Sequence, residues 1–437
     1  MATSFGVLRT NRNFRLLFVG QTISQLGDWF NTVALMGLLA ELFGEHDAAM
    51  PVALLMVAQF LPMAVVGTVA GVVVDRVDRR RLMIVADVLR GTLVLGLLLV
   101  NSQERVWLAY AVTALTVTCT AFFEPARTAT IPNVTSADEL LPASALSSAV
   151  WSAMLAIGAS LGGLISAVSG RHVAFVLNAA SFFVSAWFIS RTRFDAKPAR
   201  KPPLRGAWAL TGVPDMVDGM RYVVPRPHLG ALMFVKAGWG MAGGVLVLLA
   251  IFGTSVFPLT LPAISVWGYN VMPAGASAAA GIGILYGARG VGAGLGPLSL
   301  RWLVGQSRPV MRRAIGPAFF LFGGAYIGLA VSRQLPVAAA CVLLAHFGGS
   351  ILWVFSTVLL QLEVPDEFRG RVFSAELALV TLTSSASSYV TALALQHASP
   401  RAMAFALGGL LCVPGALWLM ANARWGRDTP TEVHTVA

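Results

Sequence analysis

The sequence predicts an all-α polytopic membrane protein with twelve transmembrane helices in two six-helix halves. Composition is the first reason: of 437 residues, 57% are hydrophobic and 12% charged, about half the charged fraction of a soluble domain. Segment length is the second. A helix needs about 20 mostly apolar residues to cross a bilayer, and runs of that length follow one another along the whole chain. The third is charge placement, because arginine collects in every second loop.

The spans fall near residues 14–42, 51–74, 82–101, 107–124, 146–168, 173–190, 229–257, 280–303, 314–331, 337–362, 374–396 and 401–422. One set of loops holds Arg9, Arg12 and Arg15, the run Arg76 to Arg81, Arg127, the basic stretch 191–226, residues 301–313, Arg369 and Arg371, and Arg424 and Arg427. The opposite loops hold Arg105, Arg171, Arg333 and Arg401. The positive-inside rule puts the first set, and with it both termini, in the cytoplasm. An even number of spans requires the same, and the expected location is the cytoplasmic (inner) membrane of a bacterium. The net charge of +11 would suggest nucleic acid in a soluble protein. Its confinement to alternate loops argues against that partner.

Cys119, Cys341 and Cys412 lie inside spans with no metal spacing and no disulfide framework. No metal, cofactor or catalytic residue is expected. The first apolar run is too long for a signal peptide and lacks a cleavage site. Residues 191–228 carry six prolines among many basic residues. They read as a cytoplasmic linker, with a short amphipathic helix over 207–222, between an N-terminal half (1–190) and a C-terminal half (229–437). The segment 258–277 is expected to pack at the outer interface.

The hinge from Asp75 to Arg81 carries six charges in seven residues. Between two membrane-length segments it suggests a charged latch: Gly71 permits close helix approach, and Asp75 suits a helix N-terminus or an arginine. Arg76, Arg79, Arg80, Arg369 and Arg371 are candidate latch residues. So are Asp87 and Arg90, spaced i, i+3 in the third span, which are expected to pair with each other or with the adjacent loop near its cytoplasmic end.

Ionisable groups inside spans are expensive and mark function. Asp28 lies halfway along span one, with Gln21 and Gln25 on the same face (i, i+4, i+7) and Asn31 nearby. It reads either as a cavity acid that carries a proton or as a packing carboxylate. Arg289, in the middle of span eight, cannot give up its proton. It either attracts an anionic solute or pairs with Asp28 or another acid. Lys236 is placed to line the cavity or to snorkel. His346 could titrate near neutrality or serve packing. Glu124 and Glu376 are expected near cytoplasmic ends, Glu376 at the start of span eleven. Both remain candidate coupling acids with Asp28 and His346. Trp29, Phe30, Trp239, Phe347 and Trp353 are candidates for the cavity wall or for packing.

The run Gly71-Val-Val-Val-Asp75-Arg76-Val-Asp78-Arg79-Arg80 resembles the loop between helices 2 and 3 of the major facilitator superfamily, with Asp78 where most members have glycine. Gln21-x-x-Ser24-x-x-Gly27-Asp28, Pro125-Ala-Arg127-x-x-x-x-Pro132 and Arg369-Gly-Arg371-Val372 resemble its macrolide and enterobactin (siderophore) exporter branch. Gly158-Ala159-Ser-Leu-Gly162-Gly163 resembles the G-P-x-x-G-G signature of drug antiporters, with alanine in place of proline. Its glycines are expected to pack helices closely.

The resemblance implies alternating access about a midplane cavity and proton-coupled efflux of a small amphipathic or hydrophobic compound such as a drug, macrolide or siderophore. A lysophospholipid or lipid translocator and an importer are the rivals within transport. A membrane-embedded enzyme would need catalytic groups clustered at one depth, and a receptor would need an extramembrane domain. Neither is visible in the sequence. The expected partners are a small-molecule substrate, protons and the lipid bilayer, with a monomer as the working unit.

Overall fold

The computed structural model describes residues 4–44, 47–74, 76–193, 211–261, 264–266, 269–272, 275–276, 278–303 and 307–425. A short helix, α1 (Ser4–Thr10), leads into α2 (Arg12–Phe43), which Asn11 caps by accepting from the Phe14 N–H at 3.0 Å. Then come α3 (Ala49–Val74), α4 (Arg79–Leu95, continued as a 3₁₀ turn to Leu99), α5 (Val106–Val134), α6 (Ala137–Ser169) and α7 (Arg171–Ser190). The linker helix α8 (Val213–Val223) precedes α9 (Pro227–Gly240) and α10 (Val245–Ile251). The chain ends with α11 (Ala278–Leu303), α12 (Arg308–Val331), α13 (Leu335–Glu363), α14 (Asp366–Ala394) and α15 (Pro400–Trp425).

Among the described residues, 11 segments are long and apolar enough to cross a membrane. Helix α2 has the length, at 32 residues. Gln21, Gln25, Asp28 and Asn31 in its middle make it the polar exception.

Two expectations are corrected. Helix α5 runs on past Glu124 to Val134, and α6 begins at Ala137, so the expected loop between them is nearly all helix. Pro125 and Pro132 lie inside α5, where neighbouring helices can tolerate them. The Ser136–Glu139 capping box then starts α6. Helix α14 begins at Asp366, so Glu376 sits well inside it and not at its N-terminus. In the segment 258–277, four short strands pair antiparallel: β1 (Thr260–Leu261) with β4 (Gly275–Ala276), and β2 (Ile264–Val266) with β3 (Tyr269–Met272). A stretch outside the helices satisfies its backbone by pairing with itself.

Within the first group of helices, α2 packs on α6 and α7, α3 on α5, and α4 on α5 and α7. In the second group, α12 packs on α13 and α15, α13 on α11, and α9 on α13 and α14. The groups meet along two main seams, α3 against α14 and α6 against α11. The α6–α11 seam depends on glycine. A Cβ on Gly163 would stand 2.6 Å from the Ala279 carbonyl oxygen and 3.0 Å from Gly283 Cα. Gly158 and Gly162 do the same for the approach of α2, facing Trp29 and Phe30.

The end of the bundle opposite the basic loops is closed. Residues 33–40 of α2 and 245–251 of α10 are buried on every side, the signature of a helix enclosed by others. The span formed by α9 and α10 is broken at Met241–Gly244. The Ser387 hydroxyl of α14 donates to the Met241 carbonyl at 2.6 Å, and the Gly244 N–H donates to Ser387 Oγ at 3.0 Å. A broken helix at membrane depth needs such replacement partners.

Candidate central cavity and charge sites

Asp28 stands at the midpoint of α2, half-buried. Among the described residues its carboxylate has no hydrogen bond and no ion pair. Its α2 neighbours are equally unsatisfied: Gln21 Nε2, Gln25 Oε1 and Asn31 Oδ1 are buried without partners. The charges close enough to act on Asp28 are Arg90, Asp87 and Glu124. Arg289 is not among them. The expected alternative of an Asp28–Arg289 pair is therefore absent.

Asp87 and Arg90 form a buried pair in α4, 0% and 2% exposed. Both lie in the middle of the span, deeper than the cytoplasmic end expected for them. The Arg90 guanidinium sits 4.3 Å from the Phe123 ring and 4.4 Å from that of Phe182, and it donates to the Thr120 hydroxyl at 3.3 Å. Two aromatic faces and a carboxylate replace the water that a guanidinium loses on burial. On α5, Arg127 donates to Glu124 at 2.7 Å and to Gln21 Oε1 at 3.0 Å. This contact ties α5 to the entrance of α2.

In the second group, Lys236 of α9 donates to Glu376 of α14 at 2.7 Å, and both are buried. The ammonium lies 4.7 Å from the Trp353 ring. Trp239 packs edge-on to Trp353 at 5.6 Å. His346 Nε2 and the Tyr326 hydroxyl share a hydrogen bond of 3.0 Å, with Phe322 beside both rings. Arg289, at mid-helix in α11, is 7% exposed. Its neighbours are the rings of Trp29, at 5.7 Å, and Tyr286, at 5.5 Å. Phe30 packs under α6 at Gly162, and Phe347 lies against α11 at Gly292 and Gly296.

Several latch candidates contact their own halves or the linker. Arg76 donates to the Val72 carbonyl at 2.7 Å and Arg79 to that of Ala129 at 2.9 Å. Arg80 donates to the carbonyl of Ser190, and Arg369 to that of Val364 at 3.3 Å. Gly71 is exposed, with open space where a Cβ would go. Asp75 lies outside the described residues. Arg371 pairs with Asp215 of α8 at 3.5 Å. Beside it Tyr222 stacks on Phe368 at 4.4 Å, and Gly219 admits the Arg371 backbone. Sequence reasoning missed this linker contact and the Tyr326–His346 pair. It also missed the Arg312–Glu363 bridge, at 2.6 and 2.7 Å. The Gly240 to Gly244 run was the one local signal of the broken span.

The chain matches the transmembrane secretion effector family over residues 2–427. It is 27% identical over 387 residues to the uncharacterised MFS-type transporter YfiS of Bacillus subtilis, covering 86% of this chain and 85% of that protein. Macrolide efflux protein A of Streptococcus pyogenes is 23% identical over 387 residues, covering 87% of this chain and 88% of the relative. The multidrug efflux pump Tap of Mycolicibacterium fortuitum is 26% identical over 348 residues, covering 75% and 76%. Among solved structures, a POT family transporter in complex with 5-aminolevulinic acid aligns with a TM-score of 0.73 at 10% identity, covering 95% of this chain and 96% of that one. A bacterial homologue of the human lysosomal transporter Spinster, inward-facing and unoccupied, aligns at 0.68 and 14% identity, covering 96% and 98%. At such identities these two show the fold alone. From these matches and from the helices described above, the chain is a multi-pass membrane protein with the major facilitator fold and belongs to the transmembrane secretion effector family.

Proposed function

We propose that this protein is a proton-coupled exporter of small amphipathic solutes in the bacterial cytoplasmic membrane, working by alternating access, with Asp28 as the proton carrier. The observation that carries the reading is an unpaired carboxylate at the midpoint of α2, among three side-chain amides that each bury one polar atom without a partner. A carboxylate there must be hydrated, paired or protonated. Opening and closing the bundle changes its access to water, which couples its proton to the position of the halves. The names of the relatives, macrolide efflux protein A and Tap among them, support export.

In this reading residues 1–190 and 229–437 move as two halves about the α3–α14 and α6–α11 seams, with 191–228 as the linker. The basic loops face the cytoplasm. The closed end faces outward, so the cavity is open to solute from inside. Lys236–Glu376 holds α9 to α14, Arg90 holds α4 to α5 and α7, and Gly71, Asp75 and the loop arginines act when the inner side closes.

The test is transport of a fluorescent amphipathic dye in proteoliposomes under an imposed pH gradient. Asp28→Asn is expected to abolish accumulation against the gradient while keeping downhill exchange, and Asp28→Glu to keep part of the activity. Wild-type pumping by Asp28→Asn would move the coupling role to Glu124, His346 or Glu376. Accumulation in the opposite direction would favour an importer.

A further inference from the structure

Among the described residues, the charged side chains of the bundle interior are paired, with two exceptions. Asp87 has Arg90, Glu124 has Arg127, Glu376 has Lys236 and Glu363 has Arg312. Asp28 is one exception, and its role is given above. Arg289 is the other. Among the described residues its guanidinium has no hydrogen bond and no ion pair, and its Nε is buried without a partner. The terminal nitrogens are not sealed off in the same way. The ionisable groups close enough to act on it are Tyr286, Tyr326 and His346, and none of these supplies a negative charge near neutrality.

Burying an unpaired charge is costly, and arginine cannot escape by losing its proton. The cation–π faces of Trp29 and Tyr286 offset part of the cost but leave the hydrogen-bond donors empty. The Tyr286 hydroxyl is already committed, donating to the Leu246 carbonyl at 3.0 Å. That bond fixes the ring beside the guanidinium and leaves the fork free. Trp29 comes from α2 and Arg289 from α11, so the site is assembled from both halves. Trp151 and Tyr286, each 6.4 Å from Trp29, extend the aromatic wall.

We propose that Arg289 binds the carboxylate of the transported solute, whose apolar body lies against Trp29, Tyr286 and Trp151. A planar guanidinium fork meets a carboxylate through two parallel hydrogen bonds, and the solute then supplies the countercharge that the protein omits. The transported class is accordingly anionic amphiphiles. This rests on the transporter reading and narrows its solute.

Binding can be tested apart from pumping. The probes are dansylglycine, an anion, and its carboxamide, which matches it in shape without the charge. Affinity is measured on the full-length protein in detergent micelles, by energy transfer from tryptophan to the dansyl group, with no gradient present. The wild type is expected to bind the carboxylate at least tenfold tighter than the amide. Arg289→Gln is expected to erase that difference by weakening the carboxylate alone, and Arg289→Lys to keep part of it. Equal binding of the two probes by the wild type overturns the proposal, whether or not the variants fold. So does no binding of either at millimolar concentration, or undiminished discrimination in a folded Arg289→Gln protein. Discrimination without any gradient-driven transport in proteoliposomes would sink the proton-coupled reading and leave the anion site standing.

Discussion

Asp215 of the linker helix and Arg371 of α14 form an ion pair at 3.5 Å. Arg371, a candidate latch residue, is thus engaged by the linker helix. Both side chains are substantially exposed, so Asp215→Asn is expected to change stability by less than about 1 kcal/mol. Tyr222→Ala, which removes the stack on Phe368, is expected to cost more. Thermal unfolding in detergent compares the two, and a larger loss from Asp215→Asn would reverse the ranking of pair and stack.

The buried Lys236–Glu376 bridge should behave differently. Removing one partner leaves an uncompensated charge, with an expected loss of about 3–5 kcal/mol for Lys236→Met or Glu376→Gln alone. The double variant should recover most of that loss. A full double-mutant cycle measures it, and two neutral single variants would contradict the burial of the pair.

Gly163 should tolerate no side chain, because its Cβ would enter the α11 backbone. Gly163→Leu is expected to prevent a stable monodisperse protein. Gly324→Ala, where the space is open, is expected to stay within about 1 kcal/mol of wild type, the usual glycine-to-alanine range in a helix. Size-exclusion profiles of the pair decide the matter; a well-behaved Gly163→Leu would show that the seam can part.

Ser387→Ala deprives the Met241 carbonyl and the Gly244 N–H of their partner. The expected cost is about 0.5–1.5 kcal/mol for each hydrogen bond lost. Ser374→Ala, which removes only a bond to the Gly370 carbonyl of the same helix, serves as control. Equal melting temperatures for both variants would mean that the break in the span needs no help from α14.

The orientation can be read by labelling. In a variant with Cys119, Cys341 and Cys412 replaced, an impermeant thiol reagent added to intact cells is expected to modify Arg333→Cys and not Arg81→Cys. Both positions are exposed, so the reverse pattern would place the basic end outside.

The spans were legible because membrane solvation imposes a rule on local sequence: about 20 apolar residues, with arginine held to one side. The glycines at 158, 162 and 163 were legible as close-packing positions, since the absence of a side chain is itself the property used. The ends of α5 and α14 were not. Pro125 and the Asp366 to Arg371 run read as loop by composition, and only neighbouring helices make helix the better state there.

Sequence alone determined that Asp28 and Arg289 are charges at mid-membrane depth, because depth follows from position along a span. Which charges find each other was decided by tertiary structure. Asp87 and Arg90 are one helical turn apart and could be paired from spacing. Lys236 and Glu376 stand 140 residues apart, and no local rule connects them. The isolation of Arg289 is likewise a property of how α2 and α11 come together. A missing partner is a fact about all surrounding helices at once, and a one-dimensional pattern contains no term for it.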